Sequence, residues 1–577
     1  MLKRVLSWVA LLIAVALLYG VNLAFPRDLW VQDEARYGEI VREMASGGSW
    51  FVPTLDGQFY PDKPPLYFWL LAAQARSTGL GMLSFRLVGF ASALAFAGAF
   101  FVFARRLLGE SRALWAVLIA LTTQLFLITG NIVRMDILLA ALVTLSLHFL
   151  LRAVDEDRPR LALAGYAFAL AATMVKGPLG FAFPVLGAVP YAFWSGRFKG
   201  LARLRLPSGA LLAVAVGVAW TASLLASGHA AYVQDVLVKQ LWGRSVGSWS
   251  HPQPPYFYAV VLLPLFMPWL PYLPRAARGA EGVRLVALSW FLPGFGLISA
   301  ISGKLFVYMV PLFPPLALLV AAALPPPWEA IEDGHAEGQG PSRLAGALSG
   351  LFFAAAGAGM LYALERYLGG ELWHLAPAAG VVLAVGVILV LLALRAPARV
   401  HLCGLLVASV ALSWVLLGWG AAQLNGYFSA RELGERLAAA KQAGWQPAAV
   451  DIARGTLSFY AGCEVRQLSA SQLGAALSEP GRLAVVVRRK KLSLIPKDVL
   501  ARLAPVAEFP RLEFDGYTLY YERTVVERTV VERTVVPPPA PPPAPAPAPA
   551  RAPAASVPAR SRVPAAAPGV RTVNPRP

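Results

Sequence analysis

Charged side chains are scarce in this chain. Asp, Glu, Lys and Arg make up 14% of its 577 residues, against roughly 25% in water-soluble globular chains. That shortfall excludes an ordinary soluble protein. Cysteine is nearly absent. Cys403 and Cys463 are the only two, and they stand far apart, one in an apolar run and one in a polar region. Neither a disulfide framework nor a thiolate metal site follows from them. The six histidines lack HExxH-type zinc spacing. There is no P-loop and no GxGxxG after a strand. A soluble nucleotide-binding domain, and with it a nucleotide cofactor, is therefore not expected. For a transferase, these absences favour a lipid-linked donor over a free nucleotide sugar.

Apolar residues fill the space left by the missing charge. They make up 57% of the chain, and the mean hydropathy is +0.58. Many apolar stretches run about 17–25 residues, enough to cross a bilayer as helices. Spans are expected at 5–24, 85–104, 113–129, 132–151, 161–175, 179–194, 210–226, 256–273, 285–300, 305–324, 344–364, 376–394 and 400–422. That makes about 13. The first is read as a span and not as a cleaved signal, because no small-residue cleavage pattern follows it and further spans do.

The net charge is +19. It does not point to nucleic acid, because Arg and Lys collect in short loops between spans, where they set orientation. Basic clusters at Arg105/Arg106/Arg112, Arg152/Arg158/Arg160, Arg197/Lys199/Arg203/Arg205, Arg275/Arg278/Arg284 and Arg395/Arg399 fall in alternate loops. All are expected on the side of the basic N-terminus, the cytoplasm. The acidic, Gly/Pro-rich segment 325–343 breaks the pattern, but acidic residues weigh little in that rule.

Three regions follow: a transmembrane part over 1–424, an α/β region over 425–523, and a tail over 524–577. In the second, short apolar runs at 448–452, 483–487 and 517–521 alternate with helical patterns at 432–442 and 496–503. In the third, ERTVV repeats three times before a Pro/Ala-rich run. Such a run builds no core and favours an extended, solvated chain. The fold class expected is an all-α polytopic membrane protein with a small extracytoplasmic α/β domain.

The loop at 25–84 is the most charged stretch beside a predicted bilayer surface. Between 30 and 69 it holds Asp33, Glu34, Arg36, Glu39, Arg42, Glu43, Asp62 and Lys63. Aromatic residues, among them Tyr37 and Tyr60, alternate with those charges. The mixture suits a site for both a polar head group and a lipid tail. The segment DEARYGEIVREM has helical spacing, with Tyr37, Ile40, Val41 and Met44 on one face and Arg36, Glu39 and Glu43 on another. An interfacial amphipathic helix would use the same pattern, and Asp33 would serve as its N-cap. The adjacent carboxylates Asp33 and Glu34 equally suit general-base work or orientation of an acceptor. Lys63 is pinned by the two prolines after it, a fixed cation for a phosphate. Further along stand Asp136, at the start of a span, and the single cations Lys176 and Lys304. Arg244 and His251 lie in the loop 228–255. An ionisable residue at such depth points to function by default, and cations gathered on one side suit a phosphate or diphosphate.

These pieces carry a resemblance. DEARYGEIVREM, GGSWFVPTLDGQFYPDKPPLYFWL and SFRLVGF, then RMDILLAAL, VKGPLGF, PPYFYAVVLLPLFMPW and SGKLFVYMVPLFPPLALL, resemble the lipid A 4-amino-4-deoxy-L-arabinose transferase family. That family is one of the membrane glycosyltransferases related to protein O-mannosyltransferases. The resemblance covers roughly the first 325 residues in order. It implies the C-type glycosyltransferase architecture, an inner-membrane location, an undecaprenyl-phosphate-linked sugar donor, and lipid A or another envelope acceptor. Asp33 matches the family's central catalytic acid and Asp136 a second outer acid. Lys63 and Arg244 match cations that hold the polyprenyl phosphate, and Tyr308 a tyrosine near the same head group. Glu34, Arg36, Tyr37, Tyr60 and Lys304 are assigned to substrate binding beside them. A zinc ion next to the phosphate is implied through an acid before the lysine and a histidine. Here the acid is Asp62 where relatives have Glu, and His251 is the nearest histidine. The sequence leaves open the sugar and the acceptor. A flippase of lipid-linked sugars is the competing reading, opposed by the lack of an inverted repeat and by charges at the surface instead of the midplane.

Overall fold

The computed structural model describes residues 2–523, except positions 26 and 32 and the segments 237–251, 277–280, 330–341 and 367–371. The ERTVV repeats and the Pro/Ala-rich tail lie outside the described residues.

The apolar segments form helices. In hydrocarbon no water satisfies a backbone N–H or C=O, and the helix satisfies both internally. Among the described residues, eight helices are long and apolar enough to cross a membrane, nine if one bent pair is counted as a span. The chain is thus a multi-pass, mostly helical membrane protein. The helix Met82–Leu121 has 40 residues, and a straight one would reach about 60 Å, twice the hydrocarbon thickness. Gly109 breaks it at φ +78°, a backbone state open to glycine and strained for other residues. The expected span 85–104 is its first arm; the expected span 113–129 covers the second arm to Leu121 and then a separate helix, Gln124–Gly130. Two shorter apolar helices, Val5–Tyr19 and Leu179–Trp194, accompany the long ones.

One expected span takes a different form. The stretch 256–273 is broken, with Phe257–Leu265 and Leu270–Ala276 bent by 104°. Pro264, Pro268 and Pro271 fall inside it. Each lacks a backbone donor, so a straight ladder of hydrogen bonds cannot run through.

Three of the basic clusters meet at one end of the helices. Arg106 and Arg197 both pair with Asp155. Tyr191 donates to the same carboxylate at 2.8 Å. Arg152 pairs with Glu156 at 2.7 Å, and Arg203 with Asp157 at 2.8 Å. This is the grouping that alternate-loop placement requires.

At the other end lies the helix Asp33–Ala45. Tyr37, Ile40, Val41 and Met44 are all buried on it, as the spacing predicts. Glu39, expected on the polar face, is fully buried as well. A two-stranded hairpin follows, β1 (Thr54–Leu55) and β2 (Gln58–Phe59). Its turn is Asp56-Gly57, with φ of +52° and +67°, the pattern a two-residue type I′ hairpin demands.

The C-terminal region is a five-stranded sheet in the order β4-β3-β5-β7-β6. The strands are β3 (Gln446–Val450), β4 (Arg466–Leu468), β5 (Leu483–Arg488), β6 (Leu503–Phe509) and β7 (Tyr517–Glu522). β4, β3 and β5 run parallel; β7 and β6 add antiparallel pairs. The central β3 and β5 are almost wholly buried, which is why their sequences read as continuous apolar runs. The helical pattern expected at 496–503 is cut short: the helix is Lys497–Ala501, and Leu503 already opens β6.

A backbone hydrogen bond and an ion pair tie this sheet region to the outer loop. Val31 donates to Phe428 O at 2.7 Å, and Arg431 pairs with Asp28 at 2.7 Å. Gly38 lies so close to Phe459 that an added Cβ would sit 2.8 Å from its ring. The outer-loop helix is therefore clamped between the membrane helices and the C-terminal sheet.

Candidate functional site

A cavity of roughly 2010 Å³ opens between the outer loop, the membrane helices and the C-terminal sheet. Drug-sized ligands occupy about 300–1,000 Å³, so the space suits something larger. One wall is polar and includes Asp33, Arg36, Tyr60, Asp62, Lys63, Arg134, Lys176 and Tyr308. Another is apolar, built from Leu170, Met174, Val214, Val218, Leu225 and Phe306 among others.

The polar wall is an alternating chain of charges. Arg36 Nη1 lies 3.6 Å from Asp33 Oδ1. Arg134 donates from Nη1 to the other Asp33 oxygen and from Nε to Asp136 Oδ2, the latter at 3.0 Å. Lys176 donates to Asp136 Oδ1. Its Nζ then sits 4.5 Å from the centre of the Tyr308 ring, within range of a cation–π contact. Three cations and two carboxylates leave one positive charge along this chain, and Lys63 stands on the same wall. Such a surface attracts an anion.

Local structure sets each position. Asp33 and Arg36 share the first turn of the outer-loop helix, three residues apart and so on one face. Asp136 opens the helix Asp136–Asp155, where the dipole favours a negative charge. Lys176 ends the helix Arg160–Lys176, where it favours a positive one. Gly177 follows at φ +81° and turns the chain back into the membrane.

Exposure separates the two acids. The Asp33 side chain is 35% exposed, whereas that of Asp136 is 0% exposed and saturated by Arg134 and Lys176. Asp33 is open to the cavity, whereas Asp136 is held between the two cations. The role of a second direct acid, assigned to Asp136 by resemblance, does not match this geometry.

Three other assignments fall outside the cavity wall. Glu34 is buried and bound on every side. It accepts from Arg27 at 2.7 and 2.8 Å, from Val133 N–H at 2.7 Å and from Trp30 N–H at 3.0 Å. Burial alone would raise its pKa, but Arg27 overrides that and holds it below the ordinary carboxylate value. Glu34 is a clamp, not a ligand for substrate. Tyr37 is buried edge-on against Tyr67 and Phe68. Lys304 is buried and donates to the carbonyls of Gln253, at 3.1 Å, and Ile301; it fastens a turn.

Arg36, Tyr60, Lys63 and Tyr308 do line the cavity. Arg244 and His251 lie outside the described residues. The zinc expectation rests on Asp62 and His251. Asp62 lines the cavity, but among the described residues no cluster of three His, Cys, Asp or Glu ligands includes it. The described donors do not build a metal site there.

The sequence places Lys176 only as a single cation among those on the outer side, and Arg134 only as a structural partner of Asp136; it does not join them into one chain with Asp33. It also missed the far wall, where Asp451, Thr456, Arg488, Glu513 and Tyr517 of the C-terminal sheet region face the cavity. Arg488 pairs with Asp515 at 2.5 Å and with Glu513 at 3.3 Å, and its buried Nε has no hydrogen-bond partner. The signal for Lys176 was present, a lysine in an apolar run. No local signal marks the far wall.

Comparison with known proteins fits this geometry. Residues 62–226 match the family described as dolichyl-phosphate-mannose-protein mannosyltransferase. The chain is 30% identical over 331 residues to an undecaprenyl phosphate-alpha-4-amino-4-deoxy-L-arabinose arabinosyl transferase of Edwardsiella ictaluri, covering 56% of this chain and 60% of that protein. It is 30% identical over 338 residues to the protein of the same name from Pseudomonas aeruginosa, with 56% and 60% covered. The match thus spans about three fifths of the length of these curated relatives. In structure, the chain is similar to ArnT from Cupriavidus metallidurans in the apo state, with TM-score 0.70, 20% identity, and 90% of this chain and 98% of that one covered. The same protein solved with undecaprenyl phosphate bound gives TM-score 0.67, again at 20% identity, with 90% and 97% covered. The fold is that of ArnT, and the resemblance read from the sequence motifs points to the same proteins.

Proposed function

We propose that this chain is a membrane glycosyltransferase that moves a sugar from a polyprenyl phosphate donor to an acceptor at the outer face of the bacterial inner membrane. Aminoarabinose and a lipid A phosphate are the first pair to test; another hexose or pentose, or another envelope acceptor, is the alternative. One observation carries the reading. A large cavity joins a cationic, carboxylate-bearing wall to an apolar wall, and that combination fits a lipid phosphate. The basic N-terminus and the clustered basic loops face the cytoplasm in this reading, and the C-terminal sheet faces outward.

The chemistry follows from the wall. The prenyl chain lies along the apolar side. Lys63 and Lys176 face the phosphate, and Arg244 is assigned beside them by resemblance. The acceptor oxygen attacks the anomeric carbon, the glycosyl–oxygen bond breaks, and the phosphate leaves with an added negative charge. Cations fixed before the reaction stabilise that charge as it grows. When the acceptor is a hydroxyl, Asp33 takes its proton. When it is a phosphate, already ionised, Asp33 orients the reactants through Arg36 and Arg134. Asp136 acts through Lys176 and Arg134.

The deciding experiment is mass spectrometry of lipid A and of the undecaprenyl phosphate pool, with and without the gene, complemented by wild type or Asp33→Ala. Loss of a pentosamine on deletion, restored by wild type alone, supports the first pair. Unchanged lipid A with a glycosylated polyprenyl phosphate accumulating keeps the transferase and redirects the acceptor. No change in either pool overturns the proposal.

A further inference from the structure

We propose that the crevice at the carboxyl ends of strands β3 and β5 is an acceptor subsite, and that it holds a saccharide ring by its hydroxyls and not an anionic group. The inference rests on the transferase reading above and adds which part of the second substrate is bound, and where. β3 and β5 run parallel, with Val450 beside Val487. The next pair along, Asp451 and Arg488, therefore stands side by side where the two strands end. Tyr517 pairs with Arg488 from β7. All three residues line the cavity.

The topology opens this crevice. The sheet order is β4-β3-β5-β7-β6. From β3 the chain passes to β4 on one side; from β5 it passes to β6 and β7 on the other. Connections that leave neighbouring parallel strands in opposite directions part between them, and open α/β sheets take ligands at such switch points. Here the gap faces the cavity. Asp451 holds φ at +51°, a left-handed state uncommon outside glycine. The turn that follows it reaches the outer-loop helix: a Cβ at Gly455 would lie 3.2 Å from the Cα of Arg36. A ring in the crevice is thus next to the helix that carries Asp33.

The chemistry of the lining selects the ligand. Asp451 is exposed to the cavity, and among the described residues its carboxylate has no hydrogen-bond or ion-pair partner. Beside it, Arg488 pairs with Asp515 and Glu513. Its five donors exceed those two pairs, and its Nε has no partner at all. An acceptor and a donor therefore stand together. A sugar hydroxyl is both donor and acceptor, and two neighbouring hydroxyls satisfy such a couple. Charge excludes the alternative. Asp451 and Glu513 against Arg488 leave one negative charge on this wall, and the adjoining Lys490–Asp515 pair, at 2.7 Å, adds none. A second phosphate is repelled here and drawn to the cationic wall opposite. The two walls sort the two substrates, and a cavity of roughly 2010 Å³ exceeds what one drug-sized ligand fills.

The test uses the full chain in lipid nanodiscs and three probes. Saturation-transfer NMR follows an N-acetylglucosamine disaccharide, uncharged and free of phosphate, with inorganic phosphate as competitor. Thermal melting follows polyprenyl phosphate. The expected result is saccharide binding by wild type that inorganic phosphate does not displace. Asp451→Asn should weaken it at least about tenfold, the loss of one hydrogen bond to a charged group, while polyprenyl phosphate raises Tm equally in both proteins. Asn tolerates the left-handed backbone, so this variant keeps the turn and removes the charge; Arg488→Gln is the second variant. Absence of saccharide binding by wild type overturns the inference. So does equal binding by the folded variants, or displacement by inorganic phosphate. A Tm rise with polyprenyl phosphate but no saccharide binding confines the failure to this subsite; loss of both removes the transferase reading with it.

Discussion

Lys176, the last residue of one membrane helix, donates to Asp136, the first residue of another. Both side chains are almost fully buried, at 4% and 0% exposure. Forty residues separate them in sequence, yet each is the other's main charge partner at the cavity wall. Removing one partner leaves an uncompensated charge beside hydrocarbon. Asp136→Asn should therefore cost about 3–5 kcal/mol of stability, measured as a lower Tm in detergent. The pair Asp136→Leu with Lys176→Met should recover part of that Tm while activity stays lost. Recovery of both would reduce the pair to a structural role.

Asp33 lines the cavity with its side chain 35% exposed. Asp33→Asn keeps its size and removes its charge. Transfer measured with a polyprenyl-phosphate sugar should fall about 10²–10⁴-fold if Asp33 takes a proton, with Tm unchanged or slightly altered. A fall in rate that is independent of pH in both proteins would instead assign Asp33 to orientation.

Glu34 should make stability depend on acid. Its pKa in the folded chain is held below the ordinary 4.5, against burial and by Arg27. A depressed carboxylate contributes stability that is fully present above the unfolded value and is lost as pH falls through the folded one. Tm should thus be level near pH 7 and drop below about pH 4.5. Glu34→Gln should start from a lower Tm at pH 7 and lose less of it on acidification. A parallel drop in both proteins would remove Glu34 from the account.

Gly38 sits where the outer-loop helix touches the C-terminal region. A Cβ there would stand 2.8 Å from Phe459 and 2.9 Å from Leu29. Gly38→Val should cost about 1–3 kcal/mol by overpacking and should lower transfer without touching the cavity. Proteolysis between the membrane part and the sheet region, faster in the variant, is the measurement that tells displacement from global unfolding.

Arg488 faces the cavity from the sheet with an unpaired Nε. Arg488→Met should raise the acceptor KM more than it lowers kcat, the signature of lost uniform binding. An unchanged KM would remove the C-terminal wall from acceptor recognition.

The sequence by itself determined the membrane class, because continuous apolar runs can satisfy their backbone in lipid only as helices. It determined the outer-loop helix and its buried face, because 3.6-residue spacing places Tyr37, Ile40, Val41 and Met44 together. It also marked the first loop as the charged site, and three strands of the sheet as short apolar runs. Tertiary structure decided the rest. Glu34 looked like Asp33 in sequence, and only the fold put Arg27 against one and open cavity beside the other. Glu39 looked exposed by its spacing, yet it is covered by a region more than 400 residues later. Asp136 and Lys176 read as separate charges until the ends of two helices met. Burial and charge pairing depend on which surfaces close over a residue, and periodicity within one segment carries no record of those surfaces. Propensity and pattern act over a few turns of chain; the site is assembled across hundreds of residues.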